Sequence, residues 1–373
     1  MKIAYDFTSS ACDLLLNPKI PLKTIEHVKK SIALSSFQGH ILIASSGTTS
    51  HLNEFKLIAL SKEAILASAK AVNSYLETSP SDVWLNPLPQ FHVGGLGIMA
   101  RAYLSKSKVI PLLAHKWDVN LFLQEIVSHD VTLTSLVPTQ VYDLVINNIP
   151  APKSLRKVLV GGGHLSDALY ERAKQLNWPL IVSYGLTENS STVATSTINS
   201  KELHFLSHVE GRIDPSGSLQ LKSPALLTAI ITVANDKLEI VDPKHEGWFT
   251  TEDVAKIEGN SLTILGRKND FIKISGEGVF ISSLEERLEE IKLALFFKGD
   301  AALIHVPDER VHMSIHLVTT SIDPKALVDA FNAAVMPYER IRKIHLVDKI
   351  PRTALNKLEK LKLVNLVKDR QKL

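Results

Sequence analysis

Between residues 41 and 185, short apolar runs alternate with helical patterns, and this alternation restricts the fold more than any other feature of the chain. The sequence predicts strands at 41–44, 83–88, 108–112, 131–137, 156–160 and 180–184. Helices are expected at 61–78, with Ser61 as N-cap, and around 118–129, 138–147 and 166–176. Strand–helix alternation of this kind argues for an α/β fold with a mostly parallel sheet.

After about residue 200 the pattern changes. The runs at 218–222, 229–233 and 237–241 are short and bounded by turns, and they predict a β-rich subdomain. Gly266 to Asp270 is polar and glycine-led, a candidate hinge. Beyond it, Ser283-x-x-Glu286 reads as a capping box, followed by Leu284, Leu288, Ile291 and Leu295 at helical spacing. Met313, Ile315 and Leu317 alternate as in a strand, and Asp323-Pro324 reads as the start of a helix running to Val335. With 373 residues, two units fit the length. The expected division is a large N-terminal domain of several subdomains over 1–266, a hinge at 267–270 and a small, mobile α+β domain over 271–373.

Composition narrows the function. A net charge of +3 is well short of the basic stripe of a nucleic-acid binder. No run of about 18 apolar residues predicts a membrane span. Only Lys2 precedes Asp6, without a long apolar stretch after it, so no signal peptide is expected. The single cysteine, Cys12, excludes an internal disulfide framework and fits a reducing compartment. The expectation is a cytoplasmic protein without nucleic-acid or membrane partners.

Four groups of residues could carry chemistry. Ser46, Gly47, Thr48 and Thr49 follow an apolar strand, where a glycine lets the backbone approach a phosphate and hydroxyls add donors. This is not a Walker A loop, and taken alone it reads equally well as a polar turn. Tyr184, Gly185, Thr187 and Glu188 stand at a strand's carboxyl end, the edge where open α/β sheets bind ligands. Tyr184 could stack on a base, Thr187 could bond a phosphate and Glu188 could hold Mg²⁺. Asp253 could accept two hydrogen bonds from a ribose diol, and Arg267 could reach a ribose or phosphate oxygen. Lys357 lies in the segment PRTALNK, where a lysine is usually just exposed.

The segments SSGTT, LPQFHVGG, YGLTE, GWFTTED, GRKNDFIKISGE and PRTALNK occur in that order over about residues 41 to 360. Their succession resembles the adenylate-forming superfamily of acyl-CoA synthetases, peptide-synthetase adenylation domains and luciferases. Within it, LPQFHVGGL with Arg101 after it, VLVGGG and SYGLTENSSTVAT are most similar to the o-succinylbenzoate–CoA ligases of menaquinone biosynthesis. The resemblance implies an AMP-forming ligase that uses ATP, Mg²⁺ and CoA. A carboxylate attacks the α-phosphate of ATP, and a thiol then takes the acyl group from acyl-AMP. It implies that Lys357 contacts the carboxylate and phosphate oxygens, and that Thr187 and the loop 46–49 hold phosphates. Glu188 would hold the metal, and Tyr184, beside Gly161, Gly162 and Gly163, would hold adenine. Asp253 and Arg267 would fix the ribose, and His92 would line the acyl pocket and thiol tunnel. Asn269 would be the hinge for a rotation that withdraws Lys357 and presents Lys273 and Gly276 to the thiol.

The sequence departs from that pattern in places. Ser50 to Lys56 stands where the family has Gly-x-Pro-Lys-Gly, Glu252 replaces a glycine and Asn356 replaces the glycine before the lysine. The segment ahead of the phosphate loop is shorter than the family's. Surface exposed by that shortening would suit a homodimer contact. Two classes therefore stay open, an active ligase for o-succinylbenzoate or another aryl or acyl acid, and a nucleotide-binding protein that kept the fold without turnover.

Overall fold

The computed structural model describes residues 5–18, 20, 25–26, 37–44, 54–112, 117–234, 237–308, 310–353 and 358–371. The predicted alternation folds as a parallel sheet. Its strands, in spatial order, are Lys108–Pro111, Val83–Asn86, Leu133–Leu136, Lys157–Val160 and Leu180–Leu186. Leu133–Leu136 is buried at all four positions, as a strand covered on both faces must be. Helices Val119–Ser128, Pro138–Ile146 and Asp167–Gln175 cover the sheet, and the apolar residues Phe122, Ile126, Leu144 and Leu169 pack against Leu136, Val158 and Val160. Helix Lys62–Leu76 starts on Ser61, whose Oγ accepts from the Ala64 N–H at 3.0 Å, as its sequence predicts.

The chain leaves Val83–Asn86 for the sheet edge at Lys108–Pro111, then crosses back to Leu133–Leu136 on the other side. Two neighbouring strands thus send the chain in opposite directions, which opens a crevice at their carboxyl ends. The sheet continues beyond Leu180–Leu186 in antiparallel fashion through Ser191–Thr195, Leu203–Phe205, Ser261–Arg267, Phe249–Glu258, Ser218–Lys222 and Glu210–Ile213, eleven strands in all. A second sheet of Asp13–Leu15, His40–Ala44, Glu54–Ser61, Ala229–Ala234 and Lys237–Val241 packs on it, with Ile43, Ile58 and Leu60 against Val193, Leu219 and Phe249. The β-rich run after residue 200 is therefore divided between two sheets, with Ser218–Lys222 in one and Ala229–Val241 in the other.

From Phe271 onward the chain builds the hairpin Phe271–Ile274 and Glu277–Phe280, then helix Ile281–Ala294. Strands Ala301–Asp308, His312–Thr319 and Ile341–Leu346 form a three-stranded sheet. Ile315, Leu317, Leu327 and Phe331 fill one side of it, and Ile304, Val318, Ile350 and Leu363 fill the other, where helix Lys360–Gln371 packs. The predicted hinge is a short 3₁₀ turn, Lys268–Asp270, with Asn269 at its centre.

Four expectations need correction. Helix Val93–Ser105 was not predicted, because Gly94, Gly95 and Gly97 weaken its propensity. Gly95 is required there, since a Cβ would overlap the Pro89 carbonyl. Lys56, downstream of the Ser46–Thr49 loop and a candidate to add charge there, stands in strand Glu54–Ser61, opposite Thr232. Helix Ile281–Ala294 starts on Phe280, so Ser283 lies inside the helix and caps nothing, and Glu286 points elsewhere. Helix Lys325–Ala334 begins after Pro324, one residue later than the Asp-Pro pair predicts.

Candidate active site

The residues at the carboxyl edge of the sheet come together where its parallel and antiparallel halves meet. Tyr184 lies on the last parallel strand, and Asp253 and Arg267 are paired across two antiparallel strands. Tyr184 Oη donates to Asp253 Oδ2 at 2.6 Å, and Arg267 Nε donates to Asp253 Oδ1 at 3.2 Å. The Asp253 N–H donates to Thr251 Oγ1 at 3.1 Å. Burial first, then the neighbouring Asp253 charge and its hydrogen bond, hold the Tyr184 phenol far above its ordinary range, so it stays a donor. Burial pulls the Arg267 guanidinium down, but Asp253, Glu252 and Asp270 outweigh it and it is raised. Both Asp253 oxygens are thus already bonded, one to a phenol and one to a guanidinium. Each keeps a second lone pair, so the carboxylate retains the capacity to accept from a diol. The Arg267 side chain remains 60% exposed and can turn to a ligand without leaving a buried cation.

The turn after Tyr184 is tightly constrained. A Cβ on Gly185 would overlap the Ser191 carbonyl oxygen, so only glycine closes the hairpin. Thr187, Glu188 and Asn189 form a 3₁₀ turn, and the Glu188 carbonyl accepts from the Leu227 N–H at 2.8 Å. Ser190 and Ser191 follow with φ of 52° and 118°, the latter in a region that L-residues seldom occupy. Ser190 Oγ anchors the turn by donating to the Ala225 carbonyl at 2.7 Å. Asn189 is fully buried, and neither atom of its amide has a hydrogen-bond partner among the described residues.

Behind this turn lies Arg101, 2% exposed. Its guanidinium reaches Thr192 Oγ1 at 3.1 Å and the hydroxyls of Ser191 and Ser135 at 3.5 Å, while its Nε has no partner among the described residues. No ion pair joins it to a carboxylate among the described residues. Burial lowers its pKa to about 10, which leaves a full cation in the floor of the site. Gly97 leaves room beside it, since a Cβ there would stand 3.3 Å from Arg101 Nη2. Sequence reasoning saw Arg101 only as part of a motif and missed Asn189, Ser190 and Ser191, because burial and backbone angle leave no mark in a single sequence.

The other expected residues are distributed as follows. His92 precedes helix Val93–Ser105 at its N-cap, with its ring centroid 4.7 Å from that of Phe91. The Gly161 N–H donates to the Leu136 carbonyl at 3.1 Å, a Cβ there would meet Ser183 Oγ at 2.5 Å, and Gly162 has φ +80°. Gly163 lies next to Pro138 and precedes His164, whose Nε2 is 2.8 Å from Glu286 Oε1. Lys273 and Gly276 belong to the hairpin after the hinge, and no described residue lies within 4 Å of the place a Gly276 Cβ would take. Ser46, Gly47, Thr48, Thr49 and Lys357 lie outside the described residues. No cluster of three or more metal-ligating side chains occurs among the described residues. Glu188 is half-buried beside the turn, a hard oxygen donor of the kind Mg²⁺ takes singly when substrate phosphates complete its shell.

The sequence matches the model of the AMP-binding enzyme family over residues 17–247. It is 28% identical over 311 residues to the 2-succinylbenzoate–CoA ligase of Oceanobacillus iheyensis, covering 78% of this chain and 62% of that one. It is 26% identical over 392 residues to the enzyme of the same name from Bacillus cytotoxicus, covering 96% and 78%. The chain thus spans less than two thirds of the length of several relatives it matches. The fold superposes on o-succinylbenzoate CoA synthetase (MenE) from Bacillus subtilis in complex with its acyl-adenylate intermediate, with a TM-score of 0.72 and 24% identity, over 87% of this chain and 68% of that one. More than half of the 373 residues fall within the family model, including the last parallel strand and the turn that follows it, and the chain belongs to the AMP-binding enzyme family.

Proposed function

We propose that this protein is an AMP-forming acid–CoA ligase with o-succinylbenzoate as its first candidate acid. The observation that carries the reading is the Tyr184–Asp253–Arg267 group at the carboxyl edge of the sheet in a member of this family. In the first half-reaction a carboxylate oxygen attacks the α-phosphorus of ATP. The bond to the bridging oxygen of the β-phosphate breaks, and pyrophosphate leaves. Asp253 and Arg267 hold the ribose, Tyr184 borders the base and Lys357 offsets charge on the α-phosphate as the two anions meet. Glu188 would hold Mg²⁺, which would supply positive charge against the triphosphate. In the second half-reaction the CoA thiolate attacks the acyl carbon and AMP leaves with the electron pair. The unit after residue 270 pivots at 267–270 between the two steps, taking Lys357 away and bringing Gly276 in.

Arg101 supports a dicarboxylate. o-Succinylbenzoate keeps one carboxylate while the other is adenylated, and a buried guanidinium with no carboxylate partner among the described residues is the complement of that second charge. The test is acid-dependent ATP–pyrophosphate exchange over a panel of mono- and diacids, with wild type and Arg101→Met. Exchange with an aromatic diacid, lost in Arg101→Met to a greater extent than exchange with a monoacid, is the expected result. Exchange only with short aliphatic or long fatty acids removes the substrate. Nucleotide binding with no exchange for any acid removes the activity and leaves a binding protein.

A further inference from the structure

Away from the candidate active site, two imidazoles face each other on the three-stranded sheet. His316 Nδ1 lies 3.0 Å from His345 Nε2. The face that carries them is otherwise apolar, with Ile304, Val318 and Val347 packed toward helix Lys360–Gln371. Ile304 stands opposite His316, and Val318 stands opposite His345.

A backbone irregularity brings the rings together. Ile315 pairs with Ile341, but the next residue, His316, pairs with Lys343, so Arg342 is an extra residue in its strand. Without it His345 would stand opposite Thr319, on the face that Ile315 and Leu317 present to the other core. The bulge turns His345 over to the face of His316, which is the use bulges have beside functional side chains.

The outer nitrogen of one ring is held as well. His316 Nε2 is 3.1 Å from the hydroxyl of Ser314, a residue only 3% exposed. Burial first, then His345 and Lys343, lowers His316 to about 4, and burial and Lys343 lower His345, so both rings are uncharged at neutral pH. Each neutral ring carries one proton, and the bond between them uses one of the two in either tautomer. Late first-row divalent ions take imidazole nitrogen at about 2.0–2.1 Å, which sets two neighbouring ligand nitrogens about 2.9 Å apart at a right angle and about 3.3 Å apart at the tetrahedral angle. The observed 3.0 Å lies near the right-angle end, the geometry of tetragonal Cu²⁺ and Ni²⁺.

We propose that His316 and His345 form a two-imidazole site for a tetragonal divalent cation, Cu²⁺ or Ni²⁺, with His316 Nδ1 and His345 Nε2 as adjacent ligands and water in the remaining positions. The ion takes the place of the proton between the rings. That proton moves to an outer nitrogen, so each ring keeps one proton, turned away from the metal. Ser314 Oγ accepts the one on His316 Nε2, the outer contact that fixes the orientation of a ligating imidazole. Of the charged groups near the pair, Lys343 repels the ion and Asp308, on the far strand of the sheet, attracts it. The site stands independently of the ligase reading.

The test is titration of the full chain, without an affinity tag, with Cu²⁺ by calorimetry and electron paramagnetic resonance. Wild type should bind one equivalent with a two-nitrogen hyperfine pattern. His316→Gln and His345→Gln should each weaken binding by about 10²-fold, since the second imidazole no longer binds within the same molecule, and each should leave at most one nitrogen. Ser314→Ala should weaken it by about tenfold and keep both nitrogens. Ni²⁺ should raise the melting temperature of wild type and of neither histidine variant. Should one histidine variant fail to fold, the other carries the same comparison. No binding by wild type, or wild-type affinity and a two-nitrogen pattern in a folded histidine variant, overturns the proposal.

Discussion

Asp253 is bonded before any ligand arrives, and this shapes what its loss should do. Removing it leaves the Tyr184 hydroxyl and the Arg267 guanidinium without their acceptor and removes the partner of a ribose diol. Asp253→Ala should therefore weaken AMP or ATP binding by at least tenfold in calorimetry, the scale of a charge-assisted hydrogen bond of roughly 1.5–3 kcal/mol. Unchanged affinity would take Asp253 out of the site. Tyr184, Asp253 and Arg267 were legible in the sequence because each stands in a short motif with a recognisable order. Their mutual contact was not, since it depends on Asp253 and Arg267 falling opposite each other in register. Arg101 illustrates the complementary case. Its identity was visible, but its meaning lies in having no counter-ion among the described residues, and a sequence says nothing of absent neighbours.

Among the elements, the parallel sheet was the most legible part, since buried four-residue strands and amphipathic helices carry strong patterns. The glycine-rich helix Val93–Ser105 was the least legible, because close approach to Pro89 overrides propensity there. The beginnings of the sheet strands are joined by Asp82. It accepts from Arg156 Nε at 2.8 Å and Nη2 at 2.7 Å, from Thr132 Oγ1 at 2.7 Å and from the Ser79 N–H at 2.8 Å. Burial alone would raise this carboxyl, but Arg156, Ser79 and Thr132 together hold it at about 2. Its folded pKa is below its unfolded one, so its stabilisation is present above pH 4 and is lost as the pH falls toward 2. His208 and His316 act earlier. Burial lowers both to about 4, so the unfolded chain takes up protons first and stability declines from about pH 6.5 to 4. Urea unfolding should show both declines. Asp82→Asn should cost about 2 kcal/mol at pH 7 and nearly nothing at pH 2, while leaving the decline between 6.5 and 4 intact. An Asp82→Asn cost that persists undiminished at pH 2 would count against the ion pair as its source.

Over the whole molecule, helix Ile281–Ala294 contributes to two apolar cores, with Leu284 and Leu288 in one and Leu293 in the other. Glu285 on this helix turns inward to Lys360, and Glu286 reaches across to His164, directly after the glycine run. Arg172 lies over the Phe296 ring, 5.0 Å from its centroid. Leu293, 2% exposed, belongs to the apolar core beneath the parallel sheet, beside residues such as Leu144 and Tyr170. A pivot at 267–270 has to draw Leu293 out of that core, at a cost of about 2 kcal/mol. Leu293→Ala should therefore shift the balance toward the undocked arrangement by roughly 5–30-fold. Limited proteolysis near Lys268 would read this as faster cleavage, and a rate equal to wild type would mean that Leu293 does not hold the units together. Apolar burial weakens on cooling, whereas the His164–Glu286 contact draws little on it. The docking of Leu293 therefore carries a temperature dependence of its own, and cooling should lower the share of molecules in which it is inserted.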